Sequence, residues 1–165
     1  MVMWPFGVAL DTLIPMALQA LLLSRDPEVH RTIRRVFDSA NIDLDLSNNA
    51  DQARHILTRR KYDAVLVDCD DMSNGPVVLR ELRQGKSNKS CIAFAVVSGK
   101  TSIQQAFEMG ANFVLDKPIS LDRATRSVRA AQGLIMRERR RYHRERHRVL
   151  GVRLCPLGYT GLHGE

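Results

Sequence analysis

No Cys-x-x-Cys pair occurs in this chain. Its three cysteines, Cys69, Cys91 and Cys155, stand far apart, which excludes a zinc knuckle and a redox-active dithiol. Thiols spaced in this way predict a reduced, cytoplasmic setting. An apolar run fit to span a bilayer is missing too. Met1 to Leu23 is apolar overall, but Asp11 interrupts it, Pro5, Gly7 and Pro15 break any helix, and no basic segment precedes it. Positions 1–16 therefore read as a disordered leader, or as the product of an upstream start codon with Met16 as the functional beginning, and a membrane partner is not expected. Ser98-Gly99-Lys100-Thr101 imitates the end of a phosphate-binding P-loop, yet Phe94 replaces the first glycine that motif needs.

What remains is enough for one packed domain with a tail. The chain has 165 residues, 44% of them hydrophobic and 26% charged, an ordinary supply for a single core. The charge is unevenly spread. Between Arg137 and Arg148 seven arginines face Glu138 and Glu145, which accounts for five of the +7 net charge. Basicity is thus a property of the tail and no nucleic-acid signature for the whole chain. His143 and His147 lie one helical turn apart there, but no third metal ligand accompanies them.

Short apolar runs alternate with longer amphipathic ones. Leu18 to Leu23 reads as a buried strand, and Pro27 opens a helix with Val29, Ile33, Val36 and Phe37 on one face. Ile42, Leu44 and Leu46 alternate with Asp43 and Asp45 in a half-buried strand, and Asn49 caps a helix carrying Ala53, Ile56 and Leu57. Ala64 to Val67 is a strand buried on both faces; Pro76 starts a helix with Val78, Leu79 and Leu82; Cys91 to Val97 is a fourth strand. Thr101 or Ser102 caps a helix through Ile103, Ala106 and Phe107 that stops at Gly110. Phe113 to Leu115 is a short fifth strand, and a last helix runs from about Leu121 into the arginine-rich stretch. Five strands alternating with five helices predict an α/β fold, a doubly wound parallel sheet, whose ligands bind beyond the carboxyl ends of the strands. Asp68, Ser98 and Lys117 all fall at such ends. Singly they would suit a helix cap, a turn and an exposed cation; together, a carboxylate, a hydroxyl and an ammonium suit phosphoryl chemistry.

The stretch from about Ala17 to Ala131 resembles the receiver domain of two-component response regulators, through Tyr62-Asp63-Ala64-Val65-Leu66-Val67-Asp68, Gly110-Ala111 and Lys117-Pro118. The resemblance implies a flavodoxin-like fold of five strands and five helices, with Asp68 as phosphoacceptor, Ser98 and Lys117 as phosphoryl-binding residues, and a Lys117-Pro118 bond that is often cis in the family. It also implies a histidine kinase or other signalling protein as partner, and a homodimer through the last helix-strand-helix face.

Receivers normally end the first strand with adjacent acidic residues that hold Mg²⁺; here those positions are Ser24 and Arg25, followed by Asp26. Any Mg²⁺ would rest on Asp26, Asp68 and Asp70, with Asp71 as a further substitute, and Arg25 could instead bring fixed positive charge to Asp68. The aromatic residue that commonly reports phosphorylation aligns with Val114, while Phe113, one place early, faces the other side of the strand. The expectation is a degenerate receiver with weakened phosphorylation, acting through protein–protein contacts and with no turnover chemistry, against the alternatives of a fully active receiver and of a cyclic di-GMP or nucleic-acid binder acting through the arginine-rich tail. Glu138 to Arg144 looks like the opening of a PilZ domain, whose RxxxR element grips cyclic di-GMP; Arg140 and Arg144 match it, but the remaining strands and the DxSxxG element are missing. Residues 132–165 thus read as a basic helical extension and tail, either a PilZ remnant or a helix solvated by its own charges.

Overall fold

The computed structural model describes residues 17–70, 74–99 and 103–149, with side chains through 145. The leader at 1–16, the Thr101 and Ser102 caps, Lys100, Asp71, Cys155, the His147 side chain and the tail beyond 149 lie outside the described residues. Ten elements alternate: β1 (Leu18–Leu23), α1 (Pro27–Ser39), β2 (Ile42–Ser47), α2 (Ala50–Arg59), β3 (Ala64–Asp68), α3 (Gly75–Gln84), β4 (Ile92–Val97), α4 (Ile103–Glu108), β5 (Phe113–Asp116) and α5 (Leu121–Val149). Local chemistry fixes several ends. The Asp26 side chain accepts from the Glu28 N–H ahead of Pro27, and Asn49 accepts from Asp51 and Gln52, so both helices begin where a side chain takes over orphaned donors.

The strands form one parallel sheet in the order β2-β1-β3-β4-β5. Such a sheet is buried on both sides, and its two cores follow the alternation of each strand. Leu22, Leu66, Phe94 and Leu115 point to α1 and α5. Leu23, Val65, Val67 and Val97 point to α2, α3 and α4. Phe113 stacks on Phe94 with ring centroids 5.0 Å apart, and Val114 packs into the opposite core, as alternation requires. The fourth helix forms through Ile103, Ala106 and Phe107 as expected, but it buries little. In α4 only Ala106 is buried, while Ile103 and Phe107 are 54% and 50% exposed. The helix has only six residues and covers the sheet with a single small side chain, so its larger apolar residues stay outside.

The β4–β5 edge is held by a residue the periodicity does not single out. Half-buried Arg83 of α3 donates to the carbonyls of Gly110, Lys89 and Cys91 at 2.8, 2.9 and 2.8 Å, and also to the Asn112 side chain. Gly110 lies at φ +103, and a Cβ there would stand 2.6 Å from the Arg83 side chain. The glycine therefore both ends α4 and makes room for the guanidinium. No described helix is long and apolar enough to cross a membrane.

α5 runs unbroken through Ala131, and Ile135 is still in the core. Beyond it the helix leaves the body, held by Arg139, whose guanidinium reaches both oxygens of Asp63 at 2.8 Å. Replacing Arg83 with Met is expected to lower the unfolding free energy by about 2 to 4 kcal/mol, read by urea denaturation, because charge-assisted bonds to three carbonyls are lost.

Candidate functional site

The chain passes from β1 to β2 on one side and then to β3 on the other, so the sheet order reverses between β1 and β3. A crevice opens there beyond the carboxyl ends of the strands. Register brings those ends level: Leu23 pairs with Val67, Asp68 with Val96, and Val97 with Asp116. Asp68, the last residue of β3, is fully buried. A carboxylate taken out of water costs several kcal/mol unless neighbours neutralise it and fill its lone pairs. Here Lys117 reaches Asp68 Oδ2 at 2.7 Å, the Ser24 hydroxyl donates to the same oxygen at 2.9 Å, and the Asp70 N–H donates to Oδ1 at 3.2 Å.

Ser24 is the part of this site that sequence reasoning missed. It appeared there only as a place where an acid was lacking. It is fully buried directly after β1, donates to Asp68 and accepts from the Asp26 N–H at 3.1 Å, so its single oxygen links two loops. Its backbone is tied as well: its N–H donates to Ser47 and its carbonyl meets His30 Nε2 at 2.6 Å. The available signal was a small hydroxyl residue ending a fully apolar strand at the switch in strand order.

Asp26 stands on the other side of the ammonium, 3.5 Å from Lys117 Nζ. Burial alone would raise its pKa, but the backbone donors of Glu28 and Val29 and the charge of Lys117 hold it below the ordinary value. Burial likewise works against the charge of Lys117, yet the hydrogen bond and charge of Asp68, with Asp26 and Asp70 behind, raise its pKa. Arg25 directs Nε to the Asn48 carbonyl at 3.1 Å. Ser98 is half-buried directly after β4, and no hydrogen bond joins it to Asp68 among the described residues. Cys69, next to Asp68, has its thiol pushed up to about 12 by burial and by the charges of Asp68 and Asp70, so it is no nucleophile at neutral pH. The Lys117-Pro118 bond is cis, as expected.

A magnesium ion asks for an octahedron of oxygen ligands. Among the described residues no three His, Cys, Asp or Glu side chains converge as a metal cluster, so Asp26, Asp68 and Asp70 do not assemble one. Ser24, at a place where the family normally brings an acid, offers a neutral oxygen whose proton already serves Asp68, and the ammonium of Lys117 lies between Asp26 and Asp68. Among the described residues the donor set does not fit a firmly held Mg²⁺.

Arg140 and Arg144 are exposed on α5, away from this crevice. Their neighbour Arg139 pairs with Asp63, which precedes β3, at the opposite end of the strand from Asp68.

Removing the ammonium tests the site. In Lys117→Met the unfolding free energy at pH 7 is expected to fall by about 3 to 5 kcal/mol, because one buried charge is left without its partner, and Asp68→Asn in the same chain should restore most of it. The pKa of Lys117 is higher folded than unfolded, so its contribution is complete below the ordinary lysine value and is lost as pH rises through the folded one. Denaturation series at alkaline pH should show that loss in the native chain and not in Lys117→Met.

A family model, the response regulator receiver domain, matches residues 21–129. Among solved structures, a response regulator receiver domain from Methylobacillus flagellatus is 23% identical, with a TM-score of 0.61 over 70% of this chain and 98% of its own. A receiver domain protein from Methanospirillum hungatei is 12% identical, with a TM-score of 0.64 over 74% of this chain and 98% of its own. The receiver domain of a sensor histidine kinase from Pseudomonas aeruginosa, with a magnesium ion coordinated in its active-site cleft, is 22% identical, with a TM-score of 0.61 over 72% of this chain and 98% of its own. At these identities the likeness is one of fold. No curated protein matches the sequence significantly. A sheet ordered 2-1-3-4-5, an aspartate ending its third strand, a Lys-Pro after its fifth and a family match over two thirds of the length agree: the chain belongs to the response regulator receiver domain family of two-component signalling.

Proposed function

We propose that this receiver works mainly through protein–protein contact, with Mg²⁺-dependent phosphorylation of Asp68 weakened and no turnover chemistry of its own. The observation that carries the reading is the Ser24 hydroxyl on Asp68 Oδ2, with Arg25 Nε turned to the Asn48 carbonyl, at the two positions where receivers normally bring acidic residues; the Lys117 ammonium on the same oxygen is the part of the site that matches the family. Lys117 neutralises the carboxylate without offering coordination sites, and Ser24 offers one neutral oxygen. A phosphoryl group on Asp68 would still meet Lys117, with Ser98 one residue beyond β4 as a further hydroxyl. What is weak is the assembly that draws the phosphodonor in and offsets its charge during transfer.

The partner of such a module is a histidine kinase or another signalling protein in the cytoplasm, where buried Cys69 and Cys91 stay reduced. Half-exposed Ile103 and Phe107 give the α4–β5–α5 face apolar anchors for that contact or for a second copy of the chain.

Incubation with acetyl phosphate and Mg²⁺, read by intact mass, is expected to modify only a minor fraction of the native chain. Ser24→Asp with Arg25→Asp should restore the acidic pair and raise the initial rate by about tenfold or more. Stoichiometric, Mg²⁺-dependent modification of native Asp68 would overturn the proposal.

A further inference from the structure

The outer part of α5 carries more positive charge than the fold uses. Arg137, Arg140, Arg141 and Arg144 stand at spacings of three and four residues, so they share one face, and with Leu134, Ile92 and Glu138 they line a shallow depression at the start of β4. Glu138 reaches Arg141 at 3.6 Å across open solvent. Among the described residues no acidic group pairs with Arg137, Arg140 or Arg144. Like charges at such spacing cost a helix a few tenths of a kcal/mol each, so this face opposes its own helix. Arg139, on a different side, is occupied by Asp63 and fixes the helix against the body, so the four guanidiniums are presented on a held scaffold. Leu134, 42% exposed, gives the depression an apolar floor.

Guanidinium groups around an apolar floor suit a ligand that brings phosphates and unstacked flat rings together. Duplex DNA presents phosphates but keeps its bases stacked inside, whereas a single strand offers both. We propose that this face of α5 is a binding site for single-stranded nucleic acid, with Arg137, Arg140, Arg141 and Arg144 on the phosphates and a base over Leu134 and Ile92. The site is independent of the Asp68 crevice, so its failure would leave the receiver reading intact.

The test is fluorescence anisotropy on the full chain with a labelled oligothymidylate, a duplex of equal length, anionic phospholipid vesicles and cyclic di-GMP as competitors. The single strand should bind, and raising salt from about 50 to 200 mM should weaken it about fiftyfold if four phosphates are neutralised. Arg140→Gln with Arg144→Gln should cost about tenfold or more and flatten the salt slope. Arg123→Gln with Arg126→Gln, which removes equal charge from the inner part of the same helix, should leave binding nearly unchanged; circular dichroism checks that both variants fold. Absence of binding at low salt, equal losses in the two variants, a duplex or vesicles bound as tightly as the single strand, or full displacement by equimolar cyclic di-GMP would each overturn the proposal.

Discussion

A carboxylate cut off from water dictates what may stand around it, and the loops at the carboxyl end of this sheet are arranged to meet that demand at Asp68. Lys117 comes from the loop after β5 and Ser24 from the loop after β1, two segments joined only through β3 and its neighbours. Each is held by backbone pairing of its own: Lys117 donates its N–H to Val97 and Ser24 donates to Ser47. The carboxylate therefore links the edges of the crevice and belongs to the stability of the domain as much as to its chemistry. A receiver with an acidic pair at this place carries surplus negative charge that a cation must offset. Here Ser24 and Arg25 stand in that place, and the charge of Asp68 is met by Lys117.

The Asp68–Lys117 pair limits what can drive a change of state, because a lysine tethered after β5 does not come and go with its concentration as a bound ion does. Any signal that draws Lys117 away from Asp68 must itself supply something for both charges. Asp26 takes part in this as well as in starting α1, since its Oδ1 accepts from Glu28 while its Oδ2 faces Lys117. The crevice is thereby coupled to the placement of α1, and Gly75 tightens the opposite wall, where a Cβ would come within 2.6 Å of the Asp68 carbonyl.

The layout of the sheet was legible in the sequence because its signals are local. Pro27, Asn49 and Gly110 punctuate the helices, and unbroken apolar runs such as Leu21 to Leu23 mark strands buried on both faces. The geometry of the crevice was legible in part, since Asp68 ends β3 and Lys117 follows β5 at strand ends that register brings level. What escaped were contacts between residues distant in sequence with no periodic trace. Ser24 and Asp68 are 44 positions apart, and Arg139 and Asp63 are 76 apart. Arg83 carries no mark of its own in the spacing of α3, and its role depends on carbonyls in two later loops. A hydroxyl or a guanidinium keeps the same letter whether it is solvated or locked, and only the fold decides between them.

α5 begins four residues after Lys117 and continues for 29, passing the whole sheet before it ends beyond Asp63. At about 1.5 Å per residue this is a rod of roughly 43 Å, anchored in its inner half by Ala124, Val128 and Ala131. Geometry makes such a rod a lever with a short arm at the crevice and a long one outside. A tilt of about 10 degrees about Ala131 swings the far tip, 18 residues on and roughly 27 Å away, by about 5 Å. A small displacement at the inner end would be enlarged toward the outer turns, and the Asp63–Arg139 contact is the catch that sets how freely the lever turns.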